Sequence, residues 1–204
     1  MNSSIIIDEV IDFWFGKLDE SGLPDAQKQQ LWWVKDTKID KFIKKNYEKY
    51  IIKAVNNELS VWEDTPKGFL ALIIVLDQFS RNVYRNSAKS FAQDKLALIK
   101  TNKCIENGYD LELEPIKRTF VYMPFMHSEH LDDQLESIKK YEELEDQSQP
   151  NPELHRVLSQ SKDFAYRHYE IIKKFGRYPH RNIILDREST AKEIEFLKTE
   201  GSSF

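Results

Sequence analysis

The eight apolar residues Phe69-Leu-Ala-Leu-Ile-Ile-Val-Leu76 most limit what this chain can fold into. The run is far shorter than the roughly 20 residues a membrane span requires, so it must be buried within protein. Periodicity alone allows either a buried strand or a helix apolar on every side. The preceding Thr65-Pro66 favours the helix, because a capping hydroxyl followed by proline at the first helical position is a start signal. The continuation through Asp77, Gln78 and Phe79 then carries polar groups to the end of a core helix.

Other segments read as helices around this centre. Ile5 to Phe15 places Ile6, Val10, Phe13 and Trp14 on one face and ends at Gly16. Pro24 is expected to open a second helix, continued by Gln27 to Val34. Asp36 can cap a third, in which Ile39, Phe42, Ile43, Tyr47, Tyr50, Ile51 and Ala54 recur at helical spacing before Asn56-Asn57. Ala92 to Asn107 is closed by Gly108, and Pro115 starts a helix that Pro124 is expected to kink or break. Ser128 is the expected cap of the next helix, and the polar stretch 145–153 reads as an internal loop. Glu153 to Phe175 is the longest regular segment, with Leu154, Leu158, Ser161, Ala165, His168, Ile172 and Phe175 in its seam and Gly176 beyond. Thr190-Ala-Lys-Glu193 is a capping box for a last helix, and 199–204 reads as a tail. Eight or nine helices with short links imply one domain over 1–204, built as a bundle or as a stack of helix pairs.

Composition agrees and excludes several classes of function. Six glycines and seven prolines in 204 residues are too few for the turns of an all-β sandwich. A net charge of −4 without a basic stripe argues against general nucleic-acid binding, which draws on phosphate neutralisation. Cys104 is the single cysteine, so neither an internal disulfide nor a thiolate metal cage is expected. The early acids Asp8, Glu9 and Asp12 are unlike a secretory leader, and a soluble cytoplasmic protein without membrane contact is expected.

Four groups could carry chemistry. Asp77 and Arg81 are four apart and share a helix face, with Asn82 beside them; they form either an intrahelical ion pair or the polar end of a pocket. Arg118 and Tyr122 lie one turn apart and precede His127, Ser128 and Glu129, where a helix start would favour an anion. His127, Glu129 and His130 also suggest a metal, but no second ligand pair stands near them, and no metal or cofactor is expected. His168 in an apolar seam is either a satisfied core histidine or a neutral base. Arg177, His180, Arg181 and Asn182, with Arg187 beyond, suit bidentate capture of carboxylate or phosphate, or else pair with internal acids. No G-x-S-x-G, P-loop, H-E-x-x-H or dinucleotide fingerprint is present.

The motifs Val10-Ile-Asp-Phe-Trp-Phe-Gly16, Leu70 to Arg85, Phe91-Ala-Gln-Asp94, Tyr122 to Glu129 and Phe175 to Asn182 are long and ordered, with Arg118, Gln134 and Arg187-Glu-Ser-Thr190 between and after them. In them the chain resembles the bacterial "domain of unknown function 924" family over nearly its whole length. The resemblance implies an all-α, tetratricopeptide-like fold, a right-handed stack of antiparallel helix pairs, and no established activity. Ser80 stands where the family usually has proline, Asp186 where it has glycine and His130 where an acid is common.

Two functions follow as expectations. One is a pocket for a small anionic molecule, with Asp77, Arg81, Asn82, Arg118, Tyr122, Arg177, Arg181, Asn182 and Arg187 binding it and His127, Glu129, His168 or His180 moving protons. The other is a non-enzymatic scaffold that binds an acidic peptide or a protein partner.

Overall fold

The computed structural model describes residues 3–203, so Met1, Asn2 and Phe204 of the expected 1–204 domain lie outside the described residues. Ten α-helical segments follow in order: α1 (Ser3–Trp14), α2 (Ala26–Trp33), α3 (Thr37–Val55), α4 (Pro66–Ile73), α5 (Ser80–Val83), α6 (Asp94–Glu106), α7 (Pro115–His127), α8 (Leu131–Ser148), α9 (Pro152–Phe175) and α10 (Ala191–Phe196). A π-helical turn, Ile74–Phe79, joins α4 to α5 in one continuous run, which leaves nine separate helices among the described residues. No strand occurs among them; one isolated antiparallel bridge links Leu18 and Pro24.

Helix starts follow local chemistry closely. Thr65 accepts from the Gly68 amide, Asp36 from Lys38 and Asn151 from Leu154, and Thr190 with Glu193 completes the reciprocal box. Gly176 closes α9 in the left-handed region at φ 68°. Gly68 is needed for space: a Cβ there would stand 2.0 Å from the Trp62 carbonyl oxygen.

The run α4–π–α5 lies in the middle of the core. Every residue from Gly68 to Ser80 is buried. α1 packs on α4, α3 on the π turn and α5, and α6 on α4 and α7. α7 then packs against α8 and α9, which form the most extensive helix pair. One apolar cluster runs from Ile6 to Ala165, and a small second one joins Ile171, Ile172 and Tyr178 to Phe175 and Phe196. Cys104 is fully buried, and burial pushes its thiol up to about 12, with Asp110 adding to the effect.

Four local expectations are corrected. Pro24 does not start α2; it sits in the bridge to Leu18, and Asp25 caps the helix. Of the kink or break expected at Pro124, the break does not occur, since α7 continues to His127. Ile116 to Met126 is buried throughout, and that packing outweighs the roughly 3 kcal/mol cost of an internal proline. Ser128 does not cap α8, because its hydroxyl donates to Asp133 and accepts from the His130 amide, so the helix starts after His130. The stretch 145–153 is mostly helix, since α8 runs to Ser148 and only Gln149 to Asn151 links it to α9. In the expected tail, Ser202 is buried and donates to the Leu197 carbonyl.

Candidate functional site

The π turn delivers a carboxylate into the core. Asp77 is completely buried, and burial by itself works against its charge. Arg81 more than offsets that: its Nη1 donates to Asp77 Oδ1 at 2.9 Å and to the Asp77 carbonyl at 2.7 Å. Gln78 Nε2 donates to Oδ2 at 2.5 Å, and His127 Nδ1 lies 2.8 Å from Oδ1. With Arg81 and His127 beside it, Asp77 stays well below the usual carboxylate range. An ionised carboxylate only accepts hydrogen bonds, so His127 Nδ1 must carry the proton. Burial, and then Arg81, lower the pKa of His127 despite Asp77, which leaves the ring neutral with its lone pair on Nε2.

His168 is fixed in the same tautomer by a different partner. Its Nδ1 lies 2.7 Å from the Phe164 carbonyl oxygen, which can only accept, so Nδ1 donates and Nε2 holds the lone pair. Burial, reinforced by His127, drops its pKa to about 3. Burial and then Arg181 lower His180 to about 4. The rings form a chain: His127 and His168 have centroids 6.3 Å apart, His168 and Tyr178 5.6 Å, Tyr178 and His180 5.5 Å. Tyr178 is held from behind, its hydroxyl donating to the Met126 carbonyl and accepting from Gln134.

Arg181 connects the two ends of the chain. Its guanidinium lies between the rings of Phe91 and Tyr178, at 4.5 Å and 4.6 Å from their centroids. Its Nη1 donates to Asp94 Oδ2 and its Nη2 to the His127 carbonyl, each at 3.0 Å. Arg81 Nη2 lies 3.1 Å from the other Asp94 oxygen, so one carboxylate bridges two arginines. Arg181 Nε is buried and finds no acceptor among the described residues.

These groups border an open cleft of about 310 Å³. Arg81, His127, His168, Tyr178, His180 and Arg181 line it, with Lys35 and Arg85 at its margin. Arg85 is paired with Asp40 at 2.7 Å, whereas Lys35 is exposed and makes no ion pair among the described residues. Among the described residues, four cations against Asp40, Asp77 and Asp94 leave the cleft one positive charge in excess, on a protein whose net charge is −4.

The remaining expected site residues do not line this cleft. Arg118 and Tyr122 belong to a separate network, in which Arg118 donates to Tyr122 and Gln147, and Tyr122 donates to Asp110 at 2.6 Å. Asn82 donates to Asp40. Glu129 is engaged by Arg187 at 2.7 and 3.0 Å and accepts the Tyr178 amide, which holds the C-terminal loop on the link between α7 and α8. Asn182 accepts from Arg187 and donates to Ser189. Arg177 makes a two-pronged pair with Glu193, whose pKa falls to about 2 chiefly through that contact. An anion at a Ser128-capped helix start is not supported either, because α8 begins later, with Asp132 and Asp133 in its first turn. No group of three His, Cys, Asp or Glu side chains is placed to hold a metal ion among the described residues.

Sequence reasoning did not single out Asp94, Phe91, Tyr178, Lys35 or Arg85 as site residues. Asp94 and Phe91 stand in the Phe91-Ala-Gln-Asp94 motif and Tyr178 within Phe175 to Asn182, so motif membership was the available signal for these three. Arg85 likewise closes the Leu70 to Arg85 motif, whereas Lys35 reaches the cleft only through the tertiary fold.

A comparison with curated proteins finds no match. Among solved structures, a protein of unknown function from Agrobacterium tumefaciens is similar, with 30% sequence identity and a TM-score of 0.78. The likeness covers 97% of this chain and 99% of that one. No helix among the described residues is long and apolar enough to cross a membrane. The model of the family described as bacterial protein of unknown function (DUF924) matches residues 10–201, nearly the whole length, and the chain therefore belongs to that family.

Proposed function

We propose that the cleft binds a small anion bearing a carboxylate or phosphate, and that His127 exchanges a proton with the bound molecule. One observation carries this reading: the Asp77–His127 pair stands at a cation-rich cleft with the His127 Nε2 lone pair unused by the protein among the described residues. Asp77 orients the ring, fixes its tautomer and stabilises the imidazolium that forms when Nε2 takes a proton. Excess positive charge among the described residues draws the anion in. Arg81 and Arg181 act as a fixed electrostatic floor, since Asp94 already holds both, and Lys35 is the cation of the cleft that makes no ion pair among the described residues.

Thermal-shift and calorimetric titration with inorganic phosphate, acetate and a panel of phosphorylated and carboxylated metabolites tests it. A ligand at a hundred times its Kd adds about 2.7 kcal/mol of stability. Lys35→Gln is expected to weaken anion binding severalfold. His127→Gln is expected to retain binding, and in the parent protein the imidazole nitrogen resonances in NMR are expected to shift on binding as Nε2 takes the ligand's proton. Absence of a shift with every anion would overturn the reading.

A second reading, a scaffold for a peptide or protein, draws on a different surface. Trp33 and Phe164 stack at 6.3 Å and are 60% and 40% exposed, an apolar pair on α2 and α9 outside the cleft. Under that reading Trp33→Ala, not Lys35→Gln, abolishes partner binding.

A further inference from the structure

A second groove shares a wall with the cleft. Its volume is about 510 Å³, and Phe91, His127 and Arg181 line both spaces. Ala88, Ala92, Leu98, Ile99 and Leu185 supply its apolar lining. Ile99, on α6, is 44% exposed. The two carboxylates at the groove are already engaged, Asp94 by Arg81 and Arg181, Glu129 by Arg187. A groove of mixed lining, in which Lys95, Asn102, Ser128 and His130 stand beside the apolar side chains and both acids are engaged, therefore adjoins a cation-rich cleft, and His127 borders both.

We infer that the ligand is an amphiphile: a carboxylate or phosphate head in the cleft and an uncharged, largely aliphatic chain along the Ala92–Leu98–Ile99 groove, with the atoms next to the head beside His127. The inference rests on the anion reading of the cleft and adds to it the chemical class of the molecule. Charge complementarity orients the head, and the wall of Phe91, His127 and Arg181 common to groove and cleft sets where the chain crosses from one to the other. Each volume lies within the range of roughly 300–1,000 Å³ usual for small-molecule sites.

The test is titration of the full-length protein, below micelle-forming concentrations, with straight-chain carboxylates from acetate to decanoate, the matching alkyl phosphates, and the methyl ester of octanoate. Affinity is expected to rise roughly two- to fourfold per added methylene until the groove is filled. The ester is expected to bind at least tenfold more weakly than octanoate. Two variants on the exposed lining, Ala92→Trp to block the groove and Ile99→Asp to charge it, are expected to abolish the dependence on chain length while acetate and phosphate bind as before. Binding of short anions with no gain on lengthening overturns this inference and leaves the anion site standing. A chain-length gain that persists in both variants, or an ester that binds as well as the acid, also overturns it. Failure of every anion, short or long, removes the cleft reading and this inference together.

Discussion

Arg81 and Arg118 begin from the same local arrangement and end in different roles. Each pairs one turn along its own helix, Arg81 with Asp77 and Arg118 with Tyr122. Arg81 is neutralised directly by Asp77 and by Asp94, which it shares with Arg181, and its side chain stays 20% exposed at the cleft. Arg118 is 5% exposed, and its charge reaches a carboxylate only through the Tyr122 hydroxyl, which donates to Asp110. The first network borders open space and a histidine with a lone pair to use; the second is closed around its own partners. A four-residue spacing creates a pair. Whether that pair is a site depends on what the other helices leave open beside it.

Asp77→Asn is the strongest way to break the comparison. It leaves Arg81 and His127 facing a neutral group inside the core, and a loss of about 3–5 kcal/mol in denaturant titration is expected. A loss under about 1 kcal/mol would mean that Asp77 is not the counter-ion on which the cleft is built.

Acid separates the two regions next. His168 and His180 have folded pKa values lowered to about 3 and 4, below the unfolded 6.5. Between those values the unfolded chain binds protons that the native state does not. Stability is therefore complete above pH 6.5 and falls as pH drops, by up to about 1.4 kcal/mol per pH unit for each histidine. Asp77, whose pKa is also lowered, adds a loss in the same direction only below about pH 4. Urea midpoints between pH 7 and 5 should decline in the parent protein and decline less in His168→Gln. The Arg118 network contains no histidine, so Tyr122→Phe should leave that slope unchanged.

Tyr122→Phe itself deprives buried Asp110 and Arg118 of their shared hydroxyl and should cost about 1–3 kcal/mol with anion binding unaltered. A change in anion affinity would show that the two networks communicate. The smallest effect on stability, within about 0.5 kcal/mol, is expected for Lys35→Gln, since that side chain is exposed and makes no ion pair among the described residues. Its effect on anion affinity then reports charge alone.

What could be read from the chain was whatever local chemistry governs. The caps at Asp36, Thr65 and Thr190 and the glycine stop after Phe175 are contacts between residues a few positions apart, so spacing reveals them. The burial of His168 followed from the helical period of α9. Pro24, Pro124 and Ser128 misled because each local rule has an alternative that distant packing selects: a bridge to Leu18, a fully buried helix, a hydroxyl turned to Asp133.

The sequence by itself determined the all-helical class, the buried central run and part of the polar groups that meet at the cleft, among them Asp77, Arg81, His127, His168, His180 and Arg181. Only the tertiary structure decided the rest. It built a π turn that turns Asp77 toward His127, left Arg81 and Arg181 to share Asp94, closed Arg118 into another network and set Arg177 and Arg187 to clamp the C-terminal loop. The reason is physical: a charged side chain is defined by the partner that neutralises it. Arg181 and Asp94 are 87 positions apart in the chain, and only folding makes them partners.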